Sequence, residues 1–328
     1  MGRSWKHISR TSFISHGIAL ALGMGVVVLL TRQGSPCAQV YDLLNPDMRC
    51  DDTLQQGEWD YENLRDELLV KKNVLKNMGA VSHLSVYFRD LTRGPRFGIG
   101  EYDKFQPASL RKVPILIAYL HMADVDPGIL DKTLSFSEEL HINQNIESSE
   151  QTIQPDTPYT IRELLTKMIV YSDNYSYTLL TNELNTSPPI IPYYTFRDLD
   201  VLRMMMDPRG EYISIQAYAN LFAVLYNRGY LTKEMSQFAL ELLSQTTFNE
   251  GLLAKLPRSG RVAHKFGERD IGSGQENQLH DCGIVYHPST SYVLCVMTTG
   301  FNVEKQKSAI AEISRTVYDA VSALPSDT

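Results

Sequence analysis

The chain has 328 residues, of which 43% are hydrophobic and 21% are charged, and its mean hydropathy is −0.21. This composition excludes collagen-like, disordered and polytopic membrane proteins, and the length suits one large domain or two modest ones. The formal net charge is −7, and no run of five basic residues occurs. Nucleic-acid binding needs a concentrated basic surface, so we do not expect it here.

The N-terminal residues predict a membrane anchor. Residues 1–15 form a basic tip without acidic residues, and residues 16–31 contain the apolar run IALALGMGVVVLL. This run is intermediate in length between a signal-peptide core and a membrane span, and a buried core helix is the alternative interpretation. The sequence after it is a poor cleavage site. We therefore expect an uncleaved anchor, a cytoplasmic tip, and a body outside the cytoplasm, at the cell surface or in the periplasm.

The rest of the chain predicts a linker followed by one domain. Residues 32–58 are polar with Pro and Gly, which is typical of a linker, and residues 59–324 form the domain. Within it, the periodicity predicts a helix over 59–78 and a hairpin over 81–100. A helical block spans 109–243, three strands cover 262–266, 280–287 and 291–299, and a final helix spans 305–323. This order predicts an α/β (α+β) fold, with a five-stranded antiparallel sheet flanked by helices and an inserted all-helical subdomain at about 108–210.

The four cysteines are compatible with export from the cytoplasm. Cys282 and Cys295 lie on neighbouring predicted strands, so they form a disulfide if the register places them opposite each other. Otherwise they are small core residues. The sequence contains no Cys-x-x-Cys and no His-Glu-x-x-His, and it predicts neither a metal site nor a cofactor.

The first of three motifs that carry chemistry is Ser109-Leu110-Arg111-Lys112. In a helix, the serine hydroxyl and the lysine amine are one turn apart and share a face. Serine alone is a weak nucleophile, but a lysine desolvated by the apolar residues that follow has a lowered pKa and can act as its base. The alternative is an N-cap serine followed by a solvated lysine. Because Pro114 lacks an N–H, we also expect a kink one turn into this helix.

The other two motifs follow in order. The second motif is Ser172-Asp173-Asn174, which could otherwise be a capped turn between helices. The third motif is Lys265-Phe266-Gly267, whose lysine could otherwise be a surface residue of a strand. Each motif alone is weak, and their common occurrence favours a catalytic interpretation.

With these three motifs, the chain resembles the penicillin-recognising serine hydrolases, specifically their class A β-lactamase-like branch, over residues 60–323. The resemblance implies that Ser109 is acylated, that Lys112 accepts its proton and that Ser172 relays a proton to the leaving nitrogen. It also implies that Asn174 is a ligand for Lys112 and the substrate, and that Asp173 is structural. The resemblance further implies that Lys265 helps to bind a substrate carboxylate, next to the substrate-binding residues Gly267 and Glu268. The N–H groups of Ser109 and Glu268 would form the oxyanion hole.

Two departures from that family concern the substrate and the second half-reaction. Phe266 stands where a hydroxyl residue is usual, so we expect weaker binding of ordinary penicillins. The β-lactamase branch also needs a loop carboxylate to activate the hydrolytic water. Asp198 or Asp200 is the candidate base in this sequence. The short side chain of an aspartate predicts slow deacylation.

Three functions remain open at this point. A membrane-anchored hydrolase that opens the amide bond of β-lactams through an acyl-enzyme is the first. A penicillin-binding enzyme of the D-Ala-D-Ala carboxypeptidase or transpeptidase type, acting on the stem peptide of peptidoglycan, is the second. The third is a non-catalytic module associated with the cell wall, and the complete set of Ser109, Lys112, Ser172, Asn174 and Lys265 argues against it.

Overall fold

A computed structural model describes residues 42–45, 61–92, 94–137, 152–186, 190–206, 212–269 and 274–324. The chain divides into two units, 1–42 and 43–328, and only Asp42 of the first is described. The predicted anchor at 16–31 and the basic tip lie outside the described residues. In the ranges given above, no helix is long and apolar enough to cross a membrane.

A five-stranded antiparallel sheet forms the centre of the second unit. Its strands are β1 (His83–Asp90), β2 (Arg96–Ile99), β7 (Arg261–Arg269), β8 (Asn277–Tyr286) and β9 (Ser291–Gly300). They lie in the order β2-β1-β9-β8-β7. The N-terminal hairpin therefore joins three strands from the C-terminal third of the chain. This arrangement confirms the predicted fold class, and it makes β7 an edge strand.

Two helices cover one face of the sheet. These are α1 (Glu62–Asn77) and α9 (Val303–Ser322), the latter capped by the side chain of Asn302. Because side chains alternate along a strand, every second residue of the central strands points towards these helices. This core includes Leu68, Val86, Phe88, Leu294, Val296, Ile310 and Val317.

The helical region lies between β3 (Lys104–Phe105) and β7 and supplies the other layer. Its helices are α2 (Lys112–Val125), α3 (Ile161–Val170), α4 (Asn174–Thr186), α5 (Ile190–Asp198), α6 (Leu202–Met206), α7 (Ile215–Tyr226) and α8 (Lys233–Ser244). Short strands β4 (Thr133–Leu134), β5 (Tyr159–Thr160) and β6 (Ile213–Ser214) lie at its edges, and β6 pairs with β3. Helix α2 is buried along most of its length and packs against α3, α5 and α8.

The predicted kink at Pro114 is wrong. A 3₁₀ turn over Ala108–Arg111 precedes α2, so the α-helix begins only at Lys112 and Pro114 lies in its first turn. The N–H groups of a first turn have no partner within the helix, and a proline there removes no hydrogen bond.

Four residues of the predicted linker are described, and three of them contact the domain. Leu43 and Leu44 are buried, and the carbonyl of Leu43 accepts a hydrogen bond from the Tyr286 hydroxyl at 3.0 Å. The N–H of Asn45 donates to the carbonyl of Tyr226 at 2.9 Å. These residues therefore belong to the folded unit.

The register of β8 against β9 places Cys282 directly opposite Cys295, and the two form a disulfide. Both cysteines are fully buried. The bond lies on the same sheet face as Lys265, since Lys265 is the β7 partner of Cys282. Of the two alternatives that the sequence left open, a disulfide or two small core residues, the register favours the disulfide.

Candidate active site

The 3₁₀ turn before α2 presents Ser109 beside Lys112. Side chains three residues apart are eclipsed in a 3₁₀ turn, and Lys112 Nζ lies 3.2 Å from Ser109 Oγ. The preceding residue, Ala108, has a φ of +47°, a backbone conformation that is rare for residues other than glycine. Such backbone strain clusters at functional sites and is held by the surrounding structure.

Lys112 is buried at the centre of the cluster. Its Nζ contacts Ser172 Oγ at 3.0 Å, Asn174 Oδ1 at 2.7 Å and the carbonyl of Ser172. Burial and the nearby charge of Lys265 hold the pKa of Lys112 well below its usual value. A neutral amine has two N–H donors and one lone pair. The Ser172 carbonyl and Asn174 Oδ1 accept the two N–H groups, which leaves the lone pair for a serine hydroxyl.

Ser172 connects the two lysines. It lies between α3 and α4 with a φ of +58°, and its Oγ is 3.0 Å from the Nζ atoms of both Lys112 and Lys265. This hydroxyl can therefore pass a proton between a lysine and a group bound in the site. The second motif is thus part of the cluster, which contradicts its interpretation as a simple capped turn.

Asp173 stabilises the turn between α3 and α4 that carries Ser172. Its carboxylate accepts hydrogen bonds from Thr152 Oγ1 at 2.6 Å and from the Ser176 N–H at 2.9 Å, and it is fully buried. The Asp173 N–H donates to the carbonyl of Lys167 in α3. These bonds hold Ser172 and Asn174 in their positions beside Lys112.

Strand β7 supplies the third motif. Lys265 is fully buried, and this burial lowers its pKa to about 7, while the charge of Asp281 acts in the opposite direction. A Cβ atom at Gly267 would lie 2.7 Å from the carbonyl oxygen of Pro107 and 2.9 Å from Leu110 Cγ. Only a glycine allows β7 to approach the turn that carries Ser109 so closely. Glu268 follows on the same strand and is partly buried.

The aromatic ring of Phe266 lies beside the Lys265 ammonium group. Its ring stacks on Phe248, with centroids 4.2 Å apart, and Lys265 Nζ lies 4.1 Å from the ring centroid. A cation at this distance from a ring face is stabilised by the π-electrons. The ring offers no hydrogen-bond donor to a ligand.

These residues form a constellation for acyl transfer: a serine nucleophile, a buried neutral amine, a second hydroxyl and a buried cation. The family described as the beta-lactamase enzyme family matches residues 70–321, which is most of the chain. The chain belongs to this family. Its members and structural relatives are hydrolytic serine enzymes, which supports the coarse assignment of a β-lactamase-like serine hydrolase. No curated protein matches the chain.

Several solved structures share the fold of this β-lactamase-family protein. A β-lactamase from Chitinophaga pinensis is 24% identical with a TM-score of 0.66, and the match covers 79% of this chain and 99% of that one. PBP-A is 24% identical with a TM-score of 0.65, covering 78% and 97% of the two chains. The TLA-3 extended-spectrum β-lactamase is 19% identical with a TM-score of 0.66, covering 77% and 98%. At these identities the likeness shows the fold alone.

Among the described residues, no hydrogen bond or ion pair joins Asp198 or Asp200 to this cluster, so their role as the deacylating base stays a prediction. Asp198 ends α5 and binds Arg197 at 2.8 Å. In the same helix, Thr195 contacts His121, which lies nine residues beyond Lys112 and thus about 13 Å along α2. Neither aspartate is among the charges that shift the pKa values of Lys112 and Lys265.

Sequence reasoning missed the groups behind the third motif. Asp281 accepts from the backbone N–H of Leu252 at 2.9 Å and lies 2.8 Å from His264 Nδ1, and both side chains are buried. Asp281 is the β8 partner of Phe266, and its negative charge acts to raise the pKa of Lys265. A buried Asp and His on paired strands could have been detected as a pair, had the strand register been known.

Proposed function

We propose that this protein hydrolyses β-lactams through an acyl-enzyme formed on Ser109. The observation that carries the proposal is the position of the buried Lys112 amine, 3.2 Å from Ser109 Oγ and 3.0 Å from Ser172 Oγ. A desolvated lysine is the kind of base that activates a serine nucleophile. We expect the reaction to use protein groups alone, without a cofactor.

Acylation uses the proton path between the two hydroxyls. Neutral Lys112 takes the proton of Ser109, and Oγ attacks the lactam carbonyl to form a C–O bond. The resulting oxyanion is stabilised by the backbone N–H groups of Ser109, in a first helical turn, and of Glu268, on the edge strand. Ser172 gives its proton to the lactam nitrogen as the C–N bond breaks, and it recovers a proton from Lys112. Atoms and charge balance over the step.

Lys265 is proposed to hold the substrate carboxylate. With a pKa of about 7, part of its population is cationic at neutral pH, and Ser172 contacts its Nζ at 3.0 Å. The neighbouring Phe266 contributes no hydrogen bond. We therefore expect carboxylate recognition to rest on Lys265 alone.

Release of the acyl group is proposed to be the slow step. In the described ranges, the acidic groups that shift the pKa values of Lys112 and Lys265 are Asp173 and Asp281. Both carboxylates are buried and already accept hydrogen bonds from protein groups, so neither is available to activate a hydrolytic water. This favours a second candidate function, a penicillin-binding D-Ala-D-Ala carboxypeptidase or transpeptidase that acts on peptidoglycan stem peptides. A variant of PBP-A, which has this fold, has been solved as an acyl-enzyme complex with penicillin G.

The test mixes the full chain, purified in a non-ionic detergent, with a chromogenic cephalosporin. Colour release and intact mass are followed together for the parent, for Ser109→Ala and for the matched surface control Ser308→Ala, which lies exposed on α9. Sustained turnover that is lost only in Ser109→Ala supports β-lactam hydrolysis. A stoichiometric adduct without turnover supports the second candidate. The absence of any adduct on the parent contradicts both.

We also propose that the domain is exported and held at the membrane by residues 16–31. The support is the basic tip and apolar run of the sequence, together with the buried disulfide between Cys282 and Cys295, since such bonds persist in oxidising compartments. Fractionation of cells expressing the chain, with protease added to intact cells, tests this placement. A cytosolic, protease-protected domain would contradict it.

A further inference from the structure

A second concave surface, the arginine–aspartate groove, lies away from the serine cluster. Its volume is about 460 Å³, which is within the range of small-molecule sites. It is enclosed by the β1–β2 hairpin, by the connection after α5 and by α7, and its polar residues are Arg89, Arg96, Asp198, Asp200, Asn220 and Asn227. Three strand spacings, or about 14 Å, separate β1 from β7.

One side of the groove concentrates positive charge. Arg89 on β1 is the direct partner of Arg96 on β2. Because the Asp90 N–H donates to the Pro95 carbonyl, the adjacent pair of Arg89 and Arg96 is a non-hydrogen-bonded pair, whose side chains lie closest. Like charges opposite each other destabilise a sheet.

Neither arginine has a counter-ion in the structure as described. Arg89 Nε is shielded from solvent without a hydrogen-bond partner, whereas a buried guanidinium ordinarily has an acceptor. The pair therefore offers two guanidinium groups to an anion, and carboxylate and phosphate both match the geometry of such groups.

The connection after α5 brings negative charge to the same groove. The Asp198 carboxylate pairs with Arg197, but the Asp200 carboxylate has no ion pair or hydrogen bond among the described residues; only the Asp200 backbone N–H is bonded, to the carbonyl of Arg197. Asp200 has a φ of +57° in the turn that follows α5. Opposite charges thus line one groove without pairing across it. A ligand that carries both charges would satisfy both sides.

We propose that this groove binds a short zwitterionic peptide, with its carboxylate on Arg89 and Arg96 and its ammonium on Asp200. Asn220 also lines the groove, and its uncharged amide can bond the backbone of such a peptide. The site is separate from the proposed acylation at Ser109 and goes beyond it. Phosphate shares the anionic half of this chemistry but lacks the cationic half.

The experiment is calorimetric titration of the full chain with triglycine, N-acetyl-triglycine, triglycine amide and inorganic phosphate. The variants are Arg89→Gln and Asp200→Asn, and Arg258→Gln is the matched control because Arg258 is exposed and outside the groove. Thermal unfolding of each variant establishes that it is folded. Arg96→Gln, at an exposed position, replaces Arg89→Gln if the latter does not fold.

The expected result is saturable binding of triglycine that weakens at least tenfold in Arg89→Gln and in Asp200→Asn but not in Arg258→Gln. Removing the ammonium by acetylation should weaken binding in the parent and abolish the effect of Asp200→Asn. The proposal is overturned if triglycine does not bind, if both groove variants bind it as the parent does, or if phosphate binds and triglycine does not.

Discussion

Phe266 is the single residue expected to limit carboxylate recognition. It lies beside Lys265 and presents a ring where a hydroxyl could bond the substrate. We expect Phe266→Thr to raise the second-order rate constant for acylation by a carboxylate-bearing cephalosporin about tenfold, since one added hydrogen bond to a charged group contributes about 1.5 kcal/mol. Stopped-flow measurement of colour release gives this rate constant. The methyl ester of the same cephalosporin should gain nothing, and Phe301→Thr on an exposed loop should behave as the parent. Equal gains for acid and ester would contradict the argument.

Gly267 sets the distance between β7 and the nucleophile turn. In Gly267→Ala the new methyl group would meet the Pro107 carbonyl at 2.7 Å, and backbone atoms cannot move aside as a flexible side chain does. We expect acylation to slow by about one to two orders of magnitude and stability to fall by about 1–3 kcal/mol, as overpacking typically does. The control is Gly300→Ala on β9, where the nearest atoms are 3.4 Å away. Urea unfolding and acylation kinetics measure both effects, and an unchanged acylation rate would contradict the close approach.

The sequence predicted the residues of the cluster but not their surroundings. Ser109 and Lys112 are three residues apart, so any helical turn brings them together, and local spacing suffices. Whether Asp198 or Asp200 reaches the cluster depends on where α5 ends and on how it packs along α2. These are tertiary facts that spacing does not contain. The same holds for Asp281, whose contact with His264 depends on the register of β7 and β8.

At the scale of elements, the β8–β9 hairpin is closed by a disulfide. Cys282 and Cys295 are 13 residues apart, and a loop of about this size is worth up to about 3 kcal/mol of stability in the chain-entropy account. We expect the Cys282→Ala, Cys295→Ala double variant to unfold at lower urea concentration by about that free energy. The reduced parent should match the variant. Equal stability of the oxidised and reduced parent would contradict a stabilising role.

Element boundaries followed from the sequence where a capping group or turn residue marked them. The predicted last helix at 305–323 is observed as Val303–Ser322, and the predicted strand at 291–299 as Ser291–Gly300. Strand β7 is longer than predicted, Arg261–Arg269 against 262–266, because pairing with β8 extends it through the polar residues Glu268 and Arg269. Composition does not reveal such pairing.

At the scale of the whole molecule, a buried histidine on the central sheet links β8 to the segment before the nucleophile turn. His280 on β8 holds the segment before the nucleophile turn. Its Nε2 lies 3.0 Å from the Gln106 carbonyl, its Nδ1 accepts from the Thr298 N–H at 3.3 Å, and it is fully buried. Those contacts fit a neutral ring protonated on Nε2, since a second proton on Nδ1 would oppose the Thr298 N–H. The folded state therefore favours the uncharged form of His280.

This dependence predicts that stability falls in mild acid. Burial lowers the pKa of His280 from 6.5 to about 4, so between these values the unfolded chain binds more protons than the folded one. Its contribution is therefore complete above about pH 6.5 and is lost as the pH falls towards 4, at up to about 1.4 kcal/mol per pH unit. In His280→Gln, the free energy of unfolding should be lower than the parent's at pH 8, and the difference should shrink at pH 5. Urea titrations at both pH values measure it, and a constant difference between parent and variant would show that His280 does not titrate on unfolding.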